Sequence, residues 1–393
     1  MRFIYEIAIR LFGLSIRLIS PLNSKVNKLV EARKTIFKIL PDLKNKKVIW
    51  VHCASLGEYE QASTIIKRIL EKNYHILITF SSPSGFENVN LEHNKIYKSY
   101  LPLDTKFNME KFVDRVNPEK VILIKYEFWP NLLLELHRKN IETYSASSIF
   151  RDNHFFFKWY GKWNYSVVKK SITHFLVQDE NSKINLKKSK IENVSVVGDS
   201  RYDKVLQNFH NKTPDSIVEK FKDNKKLIVC GSTWPKDHDL IFKLCKELPH
   251  YKFLIVPHEM KFITQIKFGS LYSKIESKYL KDKQILIVDS IGKLSNLYQY
   301  ANLCYVGGGF NKGIHNILEA AIFGNNIIFG PHHKKFNEAI EFIKKGFAKS
   351  ISNYDEFFEA VTLLENKKNN NEIITFCKKN SGSDKKIVEF IFS

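Results

Sequence analysis

No two of the five cysteines form a CxxC pair; Cys53, Cys230, Cys245, Cys304 and Cys377 are scattered through 393 residues. That spacing indicates neither a zinc site nor a disulfide framework, and it suits a reducing, cytosolic setting. No GxxxxGK[ST] phosphate loop occurs, and no glycine cluster has the GxGxxG spacing of a dinucleotide fingerprint. Low-complexity tracts and short-period repeats are missing as well. Acidic residues are in deficit, 41 against 62 Lys and Arg, which leaves a formal charge of +21. Such an excess suits a polyanion: nucleic acid, anionic lipid or a phosphorylated substrate. A chain-wide richness in Lys, Asn and Ile raises the charge by itself, so the excess alone does not choose a partner.

A clean membrane span is also lacking. The opening "MRFIYEIAIRLFGLSIRLISPLN" is apolar but broken by Glu6, Arg10 and Arg17, where a span needs ~20 mostly apolar residues. Arg10 and Arg17 share one helical face, while Ile4, Ile7, Leu11, Leu14 and Leu18 line another. The pattern predicts a cationic amphipathic helix over 1–22 that lies on a membrane surface; the plain alternative is a helix packed on its own protein. No small-residue cleavage site follows, so no cleaved signal peptide is expected.

From residue 47 onward the chain alternates strand, turn and helix. "VIWVHC", "HILITF", "KVILIK", "THFLVQ" and "NVSVVG" read as strands. Between the first two, Ala62, Ile65, Ile66, Ile69 and Leu70 recur at helical spacing. A polar stretch at 206–225 reads as a linker. The alternation then restarts with "KLIVCGST", "YKFLIVP", "QILIVDS", "ANLCYVGGG" and "NNIIFGP". The prediction is an α/β protein of two doubly wound, Rossmann-like parallel-sheet domains, 23–205 and 226–370, facing across a cleft, with a terminal helix over 371–393.

In such sheets ligands bind beyond the carboxyl ends of the strands. Several polar residues fall there. Glu58 follows "VIWVHC" at a strand-to-helix corner. Glu127 follows "KVILIK", and Arg201 follows "NVSVVG". Thr233 and His258 follow two strands of the second half, and Gly307, Gly308 and Gly309 a third. Pro130 suits a helix start, and Trp129 reads as core. In "GGGFNKGIHNILE" the glycines permit close approach of a ligand to backbone. A helix is expected to start near His315 or Asn316, with its N–H groups and dipole favouring an anion and Glu319 placed for ribose hydroxyls. His315 and Glu319 stand at i, i+4, a metal spacing, but no third ligand accompanies them. For Glu58 a structural role is available too: a carboxylate in the first helical turn offsets the helix dipole by ~0.3–1 kcal/mol.

Taken in register, these stretches resemble the 3-deoxy-D-manno-octulosonate (Kdo) transferases of lipid A assembly. "SLGE" (55–58) matches that family's SVGE-like turn and "YEFWPN" (126–131) its TELWPN signature. "GDSRYD" (198–203) matches GNLKFD, "GGGF…GIHNILE" (307–319) the glycine loop, and "GPHHKKF" (330–336) the GPHTFNF segment. Order and spacing hold from about residue 45 to 345. The resemblance implies a GT-B glycosyltransferase, metal-independent, inverting and without a cofactor. It would move Kdo from CMP-Kdo to a tetraacylated lipid A precursor at the cytoplasmic face of the inner membrane.

By the same resemblance Glu58 maps to the general base, and Glu127 and Arg201 to residues assisting the transition state. CMP contacts map to Pro257, His258, Ile291, Gly292, Lys293, Asn316, Ile317, Leu318 and Glu319. Three positions depart from the family pattern. Arg201 stands for a Lys, His258 for an Arg, and Lys293 for a Glu, so the last contact is expected through backbone. Two other readings share parts of the pattern. One is a GT-B transferase or epimerase using a UDP-sugar. The other is a basic RNA- or membrane-binding protein, although no RNP-type or dsRNA-type motif is seen.

Overall fold

The apolar runs become parallel strands because both of their faces are covered. A computed structural model describes residues 1–91, 93–152, 161–367 and 369–393. The first sheet comprises β1 (Val48–Cys53), β2 (His75–Phe80), β3 (Ile96–Tyr100), β4 (Lys120–Ile124), β5 (Glu142–Ser148), β6 (His174–Val177) and β7 (Val194–Val196). Its strand order is β3-β2-β1-β4-β5-β6-β7, with every pair parallel. One face packs Trp50, Leu77, Phe112, Leu133 and Phe175; the other packs Ile49, Ile65, Ile69, Ile78 and Ile122. The helix Leu56–Glu71 turns Ala62, Ile65, Ile66 and Ile69 inward as its spacing requires.

The second sheet comprises β8 (Lys226–Thr233), β9 (Tyr251–Pro257), β10 (Ser270–Leu271), β11 (Ile285–Ile287), β12 (Leu303–Val306), β13 (Ile327–Phe329) and β14 (Ala348–Ser350). Its order is β10-β11-β9-β8-β12-β13-β14, again parallel throughout. In each sheet the winding reverses between two adjacent strands: β1 and β4 in the first, β8 and β12 in the second. Such reversals leave a crevice at the strand ends.

Two compact units result, Met1–Lys204 with Ser381–Ser393, and Val205–Asn380. The segment 206–225 is helical for much of its length, within Ser200–His210 and Ser216–Lys222. Val218 and Phe221 are buried there, apolar residues too few to show through the surrounding Lys, Asn and Asp. The tail is two helices, Asn370–Lys379 and Ser383–Phe392, rather than one. Gly382, at φ +98°, breaks them. The second of them packs Ile387, Val388 and Ile391 into the first unit's core. Asp203 accepts hydrogen bonds at its start from the N–H groups of Gly382, Ser383 and Asp384, the role of an N-cap supplied from elsewhere in the chain.

The N-terminal residues form a helix, Arg2–Ile19, followed by Ser24–Ile39. The first helix docks on the protein by its polar side. Tyr5 donates to Asp104 at 2.8 Å, Arg2 donates to Asn131 at 3.0 Å, and Glu6 accepts from Asn131 and from the Lys106 N–H. Ile9 is buried, but Phe3, Ile4, Leu11, Leu14 and Leu18 are exposed, Leu18 to 79%. No described helix is long and apolar enough to cross a membrane.

Candidate active site

In the first unit, polar side chains gather where the winding reverses. β1 leads into the turn Ala54–Ser55, and Glu58 sits in the first turn of the helix Leu56–Glu71. Its Oε2 accepts the Ala54 N–H at 2.5 Å, so the helix-start role is real. Burial pushes its carboxyl above the ordinary range. Lys125 and the Ala54 bond work the other way, and Glu127 adds to the rise. A half-buried carboxylate with a raised pKa beside a second carboxylate is an arrangement that suits proton transfer.

Glu127 follows β4 across the reversal. Its Oε2 accepts from the Trp129 indole at 2.9 Å and lies 3.3 Å from His52 Nε2. Burial alone would raise this carboxyl, but the bonds from His52, Trp129 and Ser81 prevail and hold it below its ordinary value. The two glutamates are thus driven apart, one toward holding a proton and one toward staying ionised. Trp129, read as core, carries a polar duty through its N–H.

Behind Glu127 runs a buried chain of bonds. The Trp50 indole donates to the Thr79 hydroxyl at 2.8 Å, and that oxygen lies 2.7 Å from His52 Nδ1. An ionised Glu127 requires the proton on His52 Nε2. The Thr79 hydroxyl, which accepts from Trp50, can then donate to Nδ1. His52 is fully buried within β1, so only the fold reveals its partner.

Lys125 directly follows β4 with φ +61°, a left-handed conformation unusual for a non-glycine residue. β5 holds it there: the Lys125 N–H donates to Ala146 O at 2.9 Å, and Ser145 Oγ donates to Lys125 O at 3.2 Å. Burial lowers the ammonium's pKa, while Glu58 opposes the fall and Arg201 adds to it. Arg201 lies in the first turn of Ser200–His210, clamped by Asp199 through Nε at 2.9 Å and Nη2 at 2.6 Å. The structure therefore gathers Glu58, Glu127 and Arg201 in one electrostatic neighbourhood and adds Lys125, His52 and Asp199 to it. Strand-end position is the signal that finds Lys125; nothing in the sequence separates His52 from core.

In the second unit, β8 and β12 flank the other reversal. Gly307 and Gly309 are obligatory. A Cβ on Gly307 would meet Ser232 O at 2.3 Å, and one on Gly309 would meet the Gly330 backbone at 2.6 Å. Asp237 ties the region together, accepting from the Trp234 N–H at 2.7 Å and the Tyr305 hydroxyl at 2.7 Å. Trp234 stacks on His258 at 5.1 Å between centroids, and His258 on His315 at 4.1 Å. The Trp234 indole donates to His315 Nε2 at 2.9 Å, which leaves the His315 proton on Nδ1. Burial, and then His258, pushes His315 down to about 4. Burial also lowers His258. Pro257 ends β9 beside it.

The expected helix start at 315–316 is not there. Ile317 is the N-cap of a four-residue helix, Leu318–Ala321, because Asn316 Oδ1 accepts the Leu318 N–H at 3.2 Å and its amide donates to Glu319 at 3.1 Å. One turn carries little dipole, so any anion-binding capacity lies in the loop's N–H groups and rings. The side chains of Ile317 and Leu318 are fully buried and offer a ligand only backbone. In the loop after β11, Ile291 is exposed and Gly292 has φ +85° with open space around it. Lys293 pairs with Asp215 at 3.5 Å and lies over the Tyr272 ring. Among the described residues no group of three His, Cys, Asp or Glu could hold a metal ion, and the five cysteines are buried thiols.

Residues 30–204, the unit that carries Glu58 and Glu127, match the family model for 3-deoxy-D-manno-octulosonic-acid transferase (kdotransferase). Beyond that segment the chain is similar to Kdo transferases over most of its length. It is 27% identical over 348 residues to the 3-deoxy-D-manno-octulosonic acid transferase of Haemophilus influenzae, covering 82% of this chain and 80% of that one. The Aquifex aeolicus transferase of the same name is 26% identical over 338 residues, 82% of this chain and 87% of that one. A bifunctional glycosyltransferase/methyltransferase of Fusobacterium nucleatum is 29% identical over 87% of this chain, which spans 56% of that protein's length. Among solved structures, UDP-GlcNAc 2-epimerase of Methanocaldococcus jannaschii superposes with TM-score 0.61 at 20% identity, over 88% of this chain and 99% of that one. The Neisseria meningitidis epimerase gives 0.59 at 15%, over 88% and 99%. At those identities the likeness is one of fold: the two-sheet GT-B type seen here.

Proposed function

We propose that this Kdo transferase relative moves Kdo from CMP-Kdo to the primary hydroxyl of a tetraacylated lipid A precursor and releases CMP. The observation that carries the reading is the pair of glutamates at the β1/β4 reversal, held in opposite protonation tendencies within the segment that matches the family model. A primary hydroxyl attacks poorly unless a base takes its proton as the bond forms. Glu58, with its raised pKa, is that base. The sugar centre gains oxocarbenium character, which a fixed carboxylate favours; Glu127, kept ionised by its three donors, suits that duty. Arg201 and Lys125 supply positive charge for the anionic groups of donor and leaving group.

In the second unit, the loop from Gly307 to Glu319 and the rings of Trp234, His258 and His315 form the CMP-binding reading. Ile317 and Leu318 would contribute backbone alone. Lys293, engaged with Asp215 and Tyr272, would shape the loop of Ile291 and Gly292 rather than reach the nucleotide. No divalent ion or cofactor is required in this scheme.

The exposed apolar side of the helix Arg2–Ile19 supports attachment to the cytoplasmic face of the inner membrane, where the acceptor's acyl chains reside. A packed surface helix normally buries its apolar side; this one buries Ile9, half-buries Tyr5 and Glu6, and leaves Phe3, Ile4, Leu11, Leu14 and Leu18 exposed. Mass spectrometry of a tetraacylated lipid A precursor incubated with the protein and CMP-Kdo tests the reaction. Addition of Kdo is expected. No addition, or transfer from UDP-GlcNAc in a parallel donor panel, overturns it.

A further inference from the structure

The helices Arg2–Ile19 and Ser24–Ile39 enclose a cavity of about 200 Å³ with the segment that follows β3. Ile16, Phe37 and Leu103 form its apolar wall, Asn108 adds an amide, and its charges are all cationic: Arg17, Arg33 and Lys34. Gly13 shapes it, because a Cβ there would stand 2.5 Å from Leu103 Cδ2; only glycine lets the first helix close on that loop. Arg33 is the unusual member. Its Nε donates to Leu101 O at 3.2 Å, yet no carboxylate among the described residues pairs with its guanidinium. Burial accordingly pushes it down to about 10. A mostly buried guanidinium with one carbonyl partner is costly, and a polyvalent anion is what would offset that cost. Lys34 leans on the exposed Glu31 at 2.7 Å. Arg17 has no ion pair with a described residue.

We propose that this cavity binds the phosphate of an anionic phospholipid, with Arg33, Arg17 and Lys34 as its cations and Ile16, Phe37 and Leu103 against the adjoining glycerol and upper acyl chain. Guanidinium matches phosphate in a two-point fork. The choice of a lipid over a soluble phosphate rests on the membrane reading above and on what borders the cavity. The same helix that contributes Ile16 and Arg17 exposes Leu11, Leu14 and Leu18. A headgroup in the cavity would thus lie beside side chains suited to the hydrocarbon boundary. The cavity is separate from the glutamate pair and makes attachment selective for lipid charge, not merely apolar.

Flotation of the full-length protein with phosphatidylcholine vesicles, and with vesicles containing phosphatidylglycerol, tests this. Wild type should favour the anionic vesicles. Arg33→Gln should weaken that partition by about fivefold or more, and Arg17→Gln by several-fold, on the scale of one cation at a charged bilayer surface. Arg33→Lys, which keeps charge but loses the fork, should fall between. Lys67→Gln, an exposed lysine on the helix Leu56–Glu71, removes the same charge and should cost less than about twofold. Thermal melting separates misfolding from lost binding for Arg33→Gln, and the exposed Arg17 gives a second reading. If Arg33→Gln and Arg17→Gln lose no more than Lys67→Gln, the cavity is not a lipid site while membrane attachment stands. If inorganic phosphate abolishes the anionic preference without displacing protein from phosphatidylcholine, the site takes free phosphate and the lipid assignment is wrong. If wild type floats with neither vesicle, the membrane reading falls and this inference with it.

Discussion

Glu58 closes a helix start with its carboxylate and, in the proposed scheme, takes a proton with it, and the two duties separate by measurement. Through Oε2 it closes the turn onto Ala54 N–H, a bond that the amide oxygen of Gln can still accept. As a base it must accept a proton, which Gln cannot do at all. Glu58→Gln is therefore expected to lose about 100- to 10,000-fold in turnover while melting within a few degrees of wild type. The pH dependence has a definite sign. Because burial raises the Glu58 carboxyl, the acidic limb of kcat/KM should rise through a midpoint above the ordinary glutamate value. Lys125 lowers that pKa, so Lys125→Gln should move the limb to higher pH. A limb that stays in place in Lys125→Gln and survives in Glu58→Gln would assign the titration to another group. The chain from Trp50 through Thr79 to His52 predicts a separate effect. His52→Ala frees Glu127 from one of its donors, and misplacement of a reacting group costs up to about 100-fold. The loss should fall on kcat with the donor KM nearly unchanged, and His52→Gln should recover part of it. Equal damage in both variants, tracking the loss of melting temperature, would make His52 purely structural.

At the level of elements, the first helix sets how membrane attachment has to be tested. Removing residues 1–22 would also strip Tyr5 and Glu6 from Asp104 and Asn131. Asp104 accepts the N–H groups of Asn131 and Leu132 at the start of the helix Pro130–Arg138. Truncation therefore disturbs the segment next to Glu127. Replacing Ile4, Leu11 and Leu18 with Ser leaves those contacts alone; vesicle flotation should fall sharply while turnover in detergent persists. Undiminished flotation would show that the exposed apolar side does not meet lipid. Asp203→Ala tests another element. Loss of a cap costs about 0.5–2 kcal/mol, so melting should drop by several degrees at most. A larger fall would mean that the helix Ser383–Phe392 has detached altogether, with Ile387 and Ile391 leaving the core. The strands that could be read from the chain were those whose side chains are apolar on both faces, such as β1, β2, β8 and β9. β5, "ETYSASS", escaped because its buried serines and threonine satisfy one another and the backbone, as Ser145 does with Lys125 O and Ser147 with Ser200. β3 carries Lys98 at a sheet edge, and β10 and β14 are only two and three residues long. None of the four has an apolar run to announce it.

For the whole molecule, charge is the quantity that matters. In the proposed scheme Arg201 and Lys125, within a chain of formal charge +21, meet the phosphate and carboxylate of the donor without a metal. Full turnover is therefore expected in excess EDTA; activity lost to EDTA and restored by magnesium would contradict the proposed scheme. The candidate site was legible where position carries meaning. Glu58, Glu127, His258 and the glycine loop all follow strands, and parallel sheets place such residues at one edge. What stayed hidden depends on contacts between distant segments: His52 on Thr79, Trp234 on His315, Asp203 on the N–H groups of 382–384. The helix start at Asn316 was misread for a similar reason. Asn is a common cap, but here its side chain bonds Glu319 and holds the chain in a loop for one more residue.

The return of the last helix to the first unit has a consequence for how the protein comes into being. Emerging from the ribosome, the stretch up to Lys204 would hold its seven strands, yet Ile65, Ile69 and Tyr144 would lack the neighbours that Ile387, Val388, Ile391 and Phe390 later supply. The second unit, continuous from Val205 to Asn380, has no such debt to later sequence. The half made first is thus the half finished last. During synthesis its unclosed face would be the natural target for chaperones, and a stop codon anywhere between residues 205 and 387 would leave it open.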